Sequence, residues 1–183
     1  MGKLQNKIYV VTGANSGIGL AAAESFAEQG AEVVLVCRNE ARGRAAQQKI
    51  QQTSGNENIH LEIADFSSLR SISTLADRLL ARYPRIDVLC NNAGGANAGR
   101  KLTAEGFELT FATNHLSGFL LTKKLLPSLL DHEGDPARVV FTSSLGHKNS
   151  PLDFDDLGLE QDYGTLVQQL KDKSPYAAIL SGV

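Results

Sequence analysis

The sequence predicts an α/β fold built on a doubly wound parallel sheet, and three observations predict it. Short, continuous apolar runs alternate with helix-like segments along most of the chain, the pattern of strands buried on both faces and joined by helical crossovers. The first apolar run enters a glycine-rich turn that opens an alanine-rich helix. The chain has 183 residues, 42% of them hydrophobic, enough for a single domain over residues 1–183 with a real core.

The elements follow in order. Ile8–Val11 is the first strand, and an alanine-rich helix runs from Leu20 to Gln29, ended by Gly30, a usual residue just past a helix end. Glu32–Cys37 is a second, continuously apolar strand, followed by a polar helix from Glu40 to Gln52 that closes at Ser54-Gly55-Asn56. Ile59–Ala64 is the third strand. Ser67 or Ser68 caps the next helix, where Leu69, Ile72, Leu75, Ala76, Leu79 and Leu80 fall at helical spacing. Ile86–Asn91 is the fourth strand, leading into a loop with Gly94, Gly95 and Gly99. A helix is expected around Thr103–Thr110 and a longer one from Asn114 to Leu130, kinked or ended by Pro127. Arg138–Thr142 is the fifth strand. Residues 148–172 are polar and weakly periodic, a long loop with a short helix near Leu166–Leu170. Crossovers in such a sheet are right-handed.

Composition narrows the function. A net charge of −2 provides no basic surplus for nucleic acid or anionic membrane, and the absence of Trp gives no support to a base-stacking platform. Cys37 and Cys90 each end a strand-like run. If the first strand lies between theirs, they are about 10 Å apart, twice the interstrand spacing, which is too far for a disulfide. They read as small buried hydrophobes of a reducing compartment. No signal peptide is evident, and the start Met1 to Asn6 has Asn where a myristoylation signal takes Ser or Thr. Lys123, Lys124 and Pro127 interrupt the apolar stretch 116–130, so no membrane span is expected. The cytoplasm is the expected location.

The glycine turn carries chemistry. Val10-Val11-Thr12-Gly13-Ala14-Asn15-Ser16-Gly17-Ile18-Gly19 is how a backbone approaches a pyrophosphate. Glycine permits positive φ and close approach, and the first free N–H groups of the helix face the anion with the positive end of the helix dipole behind them. No Lys-Ser or Lys-Thr follows Gly19, so this is not a Walker loop, and an ATPase or GTPase is disfavoured. The second strand ends in Cys37-Arg38, where a site for the unphosphorylated dinucleotide usually has a carboxylate for the ribose 2′-hydroxyl. A guanidinium there favours a 2′-phosphate, hence NADP(H) over NAD(H). The alternative is that Arg38 is a solvated loop residue. Asp65 either accepts from the adenine amino group or caps the helix that begins near Ser67.

The four segments Thr12–Gly19, Asn91-Asn92-Ala93-Gly94, Asn114 within Phe111–Leu116, and Val139–Ser144 together resemble the short-chain dehydrogenase/reductase family, and the wording around Asn114, Ser144 and Cys37-Arg38 is similar to its retinol-dehydrogenase-like branch. The resemblance covers residues 5 to about 150 and implies a Rossmann-like fold. It also implies an oxidoreductase that moves hydride between NADP(H) and a small-molecule carbonyl or alcohol, with a homo-oligomer as the expected assembly. By resemblance, Gly13, Asn15, Ser16, Gly17, Ile18 and Gly19 line the pyrophosphate. Asp65 and Phe66 border the adenine. Asn91, Ala93 and Gly94 hold the loop that touches the cofactor ribose. Asn114 helps hold a proton-relay water, and Ser144 bonds the substrate carbonyl oxygen.

The family's proton donor is a Tyr with a Lys four residues later on the same helix face, whose ammonium lowers the phenol pKa from about 10. This chain lacks that pair. Tyr163 is followed at that spacing by Val167, and Tyr176 by Leu180. Tyr176 is the better-placed candidate. In the register of some relatives the acid falls instead on Ile179 and the Lys on Val183. The resemblance also leads us to expect a sheet incomplete at its C-terminal side, with a sixth and seventh strand missing and the fifth left as an edge. A nucleotide-binding form without catalysis is therefore the alternative function.

Overall fold

A computed structural model describes residues 2–97, 99–130, 135–144, 153–161 and 163. Five parallel strands form one sheet in the order β3-β2-β1-β4-β5: β1 (Ile8–Thr12), β2 (Glu32–Cys37), β3 (Ile59–Ile63), β4 (Val88–Asn91) and β5 (Arg138–Phe141). The sheet is doubly wound and Rossmann-like, as predicted. Successive side chains of a strand point to opposite faces, and the core divides accordingly. Val10, Val34, Val36 and Leu89 pack with Ile72, Leu75, Leu79, Leu121 and Leu125 on one face. Val11, Val33, Leu35, Cys37 and Cys90 pack with Ala23, Ala27, Ala46 and Ile50 on the other. The helices behind these faces are α1 (Gly17–Glu28) and α2 (Glu40–Ser54) on the second, and α3 (Leu69–Arg82) and α5 (Ser117–Leu130) on the first. Both cysteines are buried and free, and burial pushes the Cys37 thiol up to about 11, so it behaves as a small hydrophobe.

Three expectations about elements are corrected. Helix α1 begins at Gly17 rather than Leu20, so two of the three glycines lie within its first turn. Of the helix expected around Thr103–Thr110, only Leu109 and Thr110 are helical. Gly106 takes φ +85°, its N–H reaches the Thr103 carbonyl, and the Thr103 N–H reaches that of Phe107. This tight turn pairs Leu102 with Glu108 in an antiparallel bridge, and helix starts only afterwards, as α4 (Leu109–Phe111). A π turn over Ala112–Leu116 then joins α4 to α5, which runs past Pro127 to Leu130 without ending there; Pro127 lies on its exposed side. The short helix expected near Leu166–Leu170 lies outside the described residues.

The end of the sheet opposite the glycine turn is held by a charge missed in the strand pattern. Asp87 is buried, accepts from the Ile8 N–H at 2.9 Å and from Arg85 at 2.8 Å, and pairs with Lys7 at 3.1 Å. Burial raises its pKa, but the Ile8 N–H, Arg85 and Lys7 together outweigh burial and hold the carboxyl below its ordinary value. At the β3 edge, Arg82 donates to His60 Nδ1 at 2.9 Å and His60 Nε2 lies 3.0 Å from Glu32. Arg82 can only donate, so His60 is neutral there, with its proton on the nitrogen that faces Glu32.

Among the described residues, strand β5 is the far edge. Val139, Val140 and Phe141 are 40%, 47% and 49% exposed, so both of its faces are open. At the other end of α5, the buried Ser128 hydroxyl donates to the Tyr83 carbonyl at 2.8 Å.

Two outcomes are expected from these ion pairs. Asp87→Asn should cost about 1–3 kcal/mol in urea unfolding, as expected for losing a hydrogen bond to a charged group. It should also flatten the loss of stability on acidification below about pH 4, because a carboxyl with a depressed folded pKa stabilises above its unfolded value and loses that contribution as pH falls. Burial and Arg82 lower the His60 pKa against the pull of Glu32. Its contribution is therefore complete above the unfolded value near 6.5 and is lost as pH falls through the lower folded value. His60→Gln should shrink the difference between urea midpoints measured at pH 7.5 and pH 5, conditions chosen to bracket that value.

Candidate functional site

All five strands run the same way, so their C-terminal ends share one rim. The chain order reverses between β1 and β4, which is where an open α/β sheet forms its ligand crevice. The glycine turn, Arg38, Asp65, the loop after β4 and Ser144 each follow a different strand, and all come to this rim.

The glycine turn is built against its neighbours. The Gly13 N–H reaches the Val36 carbonyl at 2.9 Å, so the turn begins against the end of β2. Gly13 has φ +67°, and a Cβ there would sit 3.0 Å from the Ala93 Cα. A Cβ on Gly19 would lie 2.5 Å from both Asn92 Nδ2 and the Gly13 carbonyl oxygen, so the helix and the turn touch directly. Ser16 is extended and its side chain does not cap α1. The first backward bond of the helix runs from the Leu20 N–H to the Ser16 carbonyl, so the N–H groups of Gly17, Ile18 and Gly19 precede the helical ladder. Ile18 is 71% exposed and Asn15 is half-buried. The positive end of a twelve-residue helix therefore opens onto the crevice with main-chain donors, which suits a diphosphate.

Arg38 follows the buried Cys37 and is exposed. Its neighbours are engaged elsewhere: Asn39 accepts from the Arg42 N–H to cap α2, and Glu40 pairs with Arg44. Among the described residues, no carboxylate is paired with Arg38. The helix-cap role considered for Asp65 falls to Ser68, which accepts from the Ser71 N–H at 3.2 Å. Asp65 holds the preceding turn, with its Oδ1 accepting from the Ser67 N–H and hydroxyl at 2.9 and 2.7 Å. The Phe66 ring belongs to the core, and its carbonyl accepts from the Ser117 hydroxyl at 2.6 Å. Phe66 thus meets the rim by its main chain.

The loop after β4 depends on two residues that sequence reasoning passed over, Thr12 and Asn92. The buried Thr12 hydroxyl accepts from the N–H groups of both Asn92 and Ala93 at 2.9 Å and donates to the Cys90 carbonyl at 3.2 Å. Asn92 Nδ2 donates to the Thr12 carbonyl, and Asn92 Oδ1 accepts from the Thr142 hydroxyl, both at 3.0 Å. One side chain thus ties the glycine turn, the β4 loop and the end of β5. The signal was present, since Thr12 and Asn92 sit inside the motifs, but their neighbours drew the functional assignments. Asn91 is turned inward, donating to the Thr122 hydroxyl at 3.0 Å, so Ala93 and Gly94 are the members of that motif left at the crevice.

Asn114 lies in the π turn and grips the same loop. Its Oδ1 accepts from the Gly95 N–H and its Nδ2 donates to the Gly95 carbonyl, both at 2.9 Å. A Cβ on Gly94 would lie 3.0 Å from that Oδ1. Ser144 is exposed, two residues past Thr142, whose N–H bonds the Asn91 carbonyl. Tyr176 lies outside the described residues. Tyr163 is described, and its hydroxyl donates to the Asn97 carbonyl at 2.9 Å, a contact with the loop that its sequence position did not suggest.

No group of His, Cys, Asp and Glu suited to a metal ion occurs among the described residues, and no helix there is long and apolar enough to cross a membrane. Residues 7–152 match the model of the family described as short chain dehydrogenase. The chain is 44% identical over 154 residues to human Dehydrogenase/reductase SDR family member 13, covering 84% of this chain and 40% of that protein. It is 40% identical over 161 residues to human Retinol dehydrogenase 11, covering 88% and 50%. The matched stretch thus spans half or less of the length of these relatives. Among solved structures, a short chain dehydrogenase of Escherichia coli CFT073 complexed with NADPH superposes with a TM-score of 0.69 at 28% identity, covering 98% of this chain and 73% of that one.

Thr12→Val keeps the shape and removes the acceptor for two N–H groups. It should destabilise the protein by about 1–3 kcal/mol, since the two donors are part-buried. Chemical denaturation of the variant beside the unaltered chain measures this.

Proposed function

The chain belongs to the short-chain dehydrogenase family, and on that premise we propose that it binds a nicotinamide dinucleotide, NADP(H) in preference to NAD(H), across the β1–β4 crevice. The observation that carries this reading is the row of main-chain donors at the start of α1, set beside a cation and no acidic residue at the end of β2. The N–H groups of Gly17, Ile18 and Gly19 face the pyrophosphate, and Asn15 and Ser16 complete the turn. Gly13 lets it lie close to Ala93. Arg38 receives the 2′-phosphate through charge-assisted hydrogen bonds. Asp65 and the main chain of Phe66 border the adenine, and Ala93 and Gly94 meet the ribose. The NADPH bound by the related Escherichia coli enzyme supports the choice of cofactor.

For the whole protein we propose hydride transfer between that cofactor and a carbonyl or alcohol substrate. The nicotinamide, when bound, supplies or accepts the hydride. The chain's part is to meet charge as it builds on the carbonyl oxygen, and the Ser144 hydroxyl at the end of β5 is assigned that place. Asn114, with both amide atoms engaged by Gly95, is assigned to holding the loop that carries Ala93 and Gly94. Tyr176 is assigned the proton donor's role. Position 180 is Leu rather than Lys, so the ammonium that the family places at that spacing is missing, and turnover by this chain is expected to be slow compared with the relatives.

Thermal melting tests the binding. NADPH at about one hundred times its Kd should stabilise the fold by about 2.7 kcal/mol, seen as a raised midpoint, and an unmoved midpoint at saturating NADPH refutes it. Arg38→Asp should swing the NADPH-to-NADH affinity ratio at least about tenfold toward NADH, a difference of about 1.4 kcal/mol, measured by titrating nicotinamide fluorescence. Binding of NADPH without its oxidation across a panel of ketones and aldehydes would assign this chain to binding alone.

A further inference from the structure

The helix that brings Asn114 to the rim begins at a buried carboxylate that no part of the cofactor reading uses. Glu108 is 3% exposed. Its Oε1 accepts from the Thr110 N–H at 2.9 Å and its Oε2 from the Phe111 N–H at 2.6 Å, while its main-chain carbonyl takes the Ala112 N–H at 2.8 Å. Two of the N–H groups that a helix start leaves without partners are thus satisfied by its carboxylate, and its carbonyl takes the first bond of the helical ladder. The residue is itself pinned from the other side, by the bridge to Leu102 and by the Leu109 N–H to the Lys101 carbonyl at 2.8 Å.

Thr110 and Asn114 are one turn apart on this helix, and both hold the loop after β4. Thr110 Oγ1 accepts from Asn97 Nδ2 at 3.1 Å, and Asn114 clasps the Gly95 main chain. A side chain that fixes the Thr110 and Phe111 N–H groups therefore fixes where both grips fall. The π turn that follows adds a reason for such an anchor. Its bond from the Ser117 N–H to the Ala112 carbonyl departs from α-helical register, and a helix with one irregular turn can slide unless its first turn is held. An apolar residue at position 108 would leave both part-buried N–H groups without these acceptors.

We infer that Glu108 is a positioning residue for the cofactor crevice: its carboxylate sets the register of the helix that carries Thr110 and Asn114, and through them the placement of Gly94 and Gly95. This rests on the proposed cofactor reading for its consequence, though not for its structural content.

Two measurements separate these. Hydrogen exchange in the protein without ligand reports the Gly95 amide directly, and fluorescence titration reports NADPH affinity. Glu108→Ala should accelerate Gly95 exchange at least about tenfold relative to the amides of β1 and β2 and weaken NADPH about tenfold, while Glu108→Asp, which keeps two acceptor oxygens, should restore most of both. Ser128→Ala, which breaks a buried bond at the far end of α5, should lower the melting temperature and leave Gly95 and NADPH unaffected. If Glu108→Ala does not fold, Glu108→Gln, with one acceptor oxygen retained, carries the same comparison. Unchanged Gly95 exchange, or equal acceleration in Ser128→Ala, overturns the inference. Accelerated exchange with unaltered NADPH affinity overturns its link to the cofactor. If the unaltered chain binds no NADPH, the cofactor reading fails while Gly95 exchange still decides the register claim.

Discussion

The rim of this sheet depends on one hydroxyl. Thr12 ends β1 at the point where the chain must leave the sheet, and its side chain receives the first two N–H groups of the loop that leaves β4. Those donors lie past the end of β4 and are part-buried, and without the hydroxyl they would lose this partner. Since the same two strands border the crevice, the group that satisfies the backbone also sets the crevice width. Asn92 extends the arrangement to Thr142, so three strand ends are referenced to one another before any ligand arrives. The glycines then read as consequences of this closeness. A Cβ at Gly13 or Gly19 would meet Ala93 or Asn92, because the β4 loop is drawn tightly under the turn. By contrast Gly17, with nothing near its missing side chain and φ +54°, answers to backbone conformation alone.

Much of the fold was legible because it rests on local pattern. Continuous runs such as Val33-Val34-Leu35-Val36 announce a strand buried on both faces, and glycine spacing marks where a strand hands over to a helix. The flanking of β1 by β2 and β4 was foreseen from the same pattern. What misled was irregular backbone. Thr103–Thr110 has reasonable helix formers, but a single positive φ at Gly106 closes a turn, and composition does not reveal which of two bends a glycine will make. Pro127 was given more weight than it carries, since on the exposed side of a helix whose other face is well packed the loss of one bond is outweighed. The π turn left no mark in the apolar periodicity at all.

The site divides the same way. Residues that act through main-chain geometry, Gly13, Gly17 and Gly19, were visible because only glycine serves there. Residues that act through long-range side-chain bonds were obscure. Thr12 and Asn92 are 80 positions apart, and neither has a residue type that declares its partner. Asp87 sits within an apolar run that reads as a strand, and nothing in that pattern declares its role. Its partners Lys7, Ile8 and Arg85 show that it closes the end of the sheet remote from the crevice, so the two ends of β1 and β4 are fastened by different chemistry: neutral hydroxyl and amide bonds at the rim, ionic bonds at the base.

The bareness of β5 leaves the crevice lopsided in stiffness. The glycine turn follows strands closed on both faces, whereas β5 is, among the described residues, paired along one margin only and half-exposed at Val139, Val140 and Phe141. Local opening is cheapest where few apolar contacts must be broken, so thermal agitation should concentrate at β5 rather than at the glycine turn. A ligand held at the glycine turn would therefore meet a prepared bed, while one reaching β5 would have to order its own surroundings.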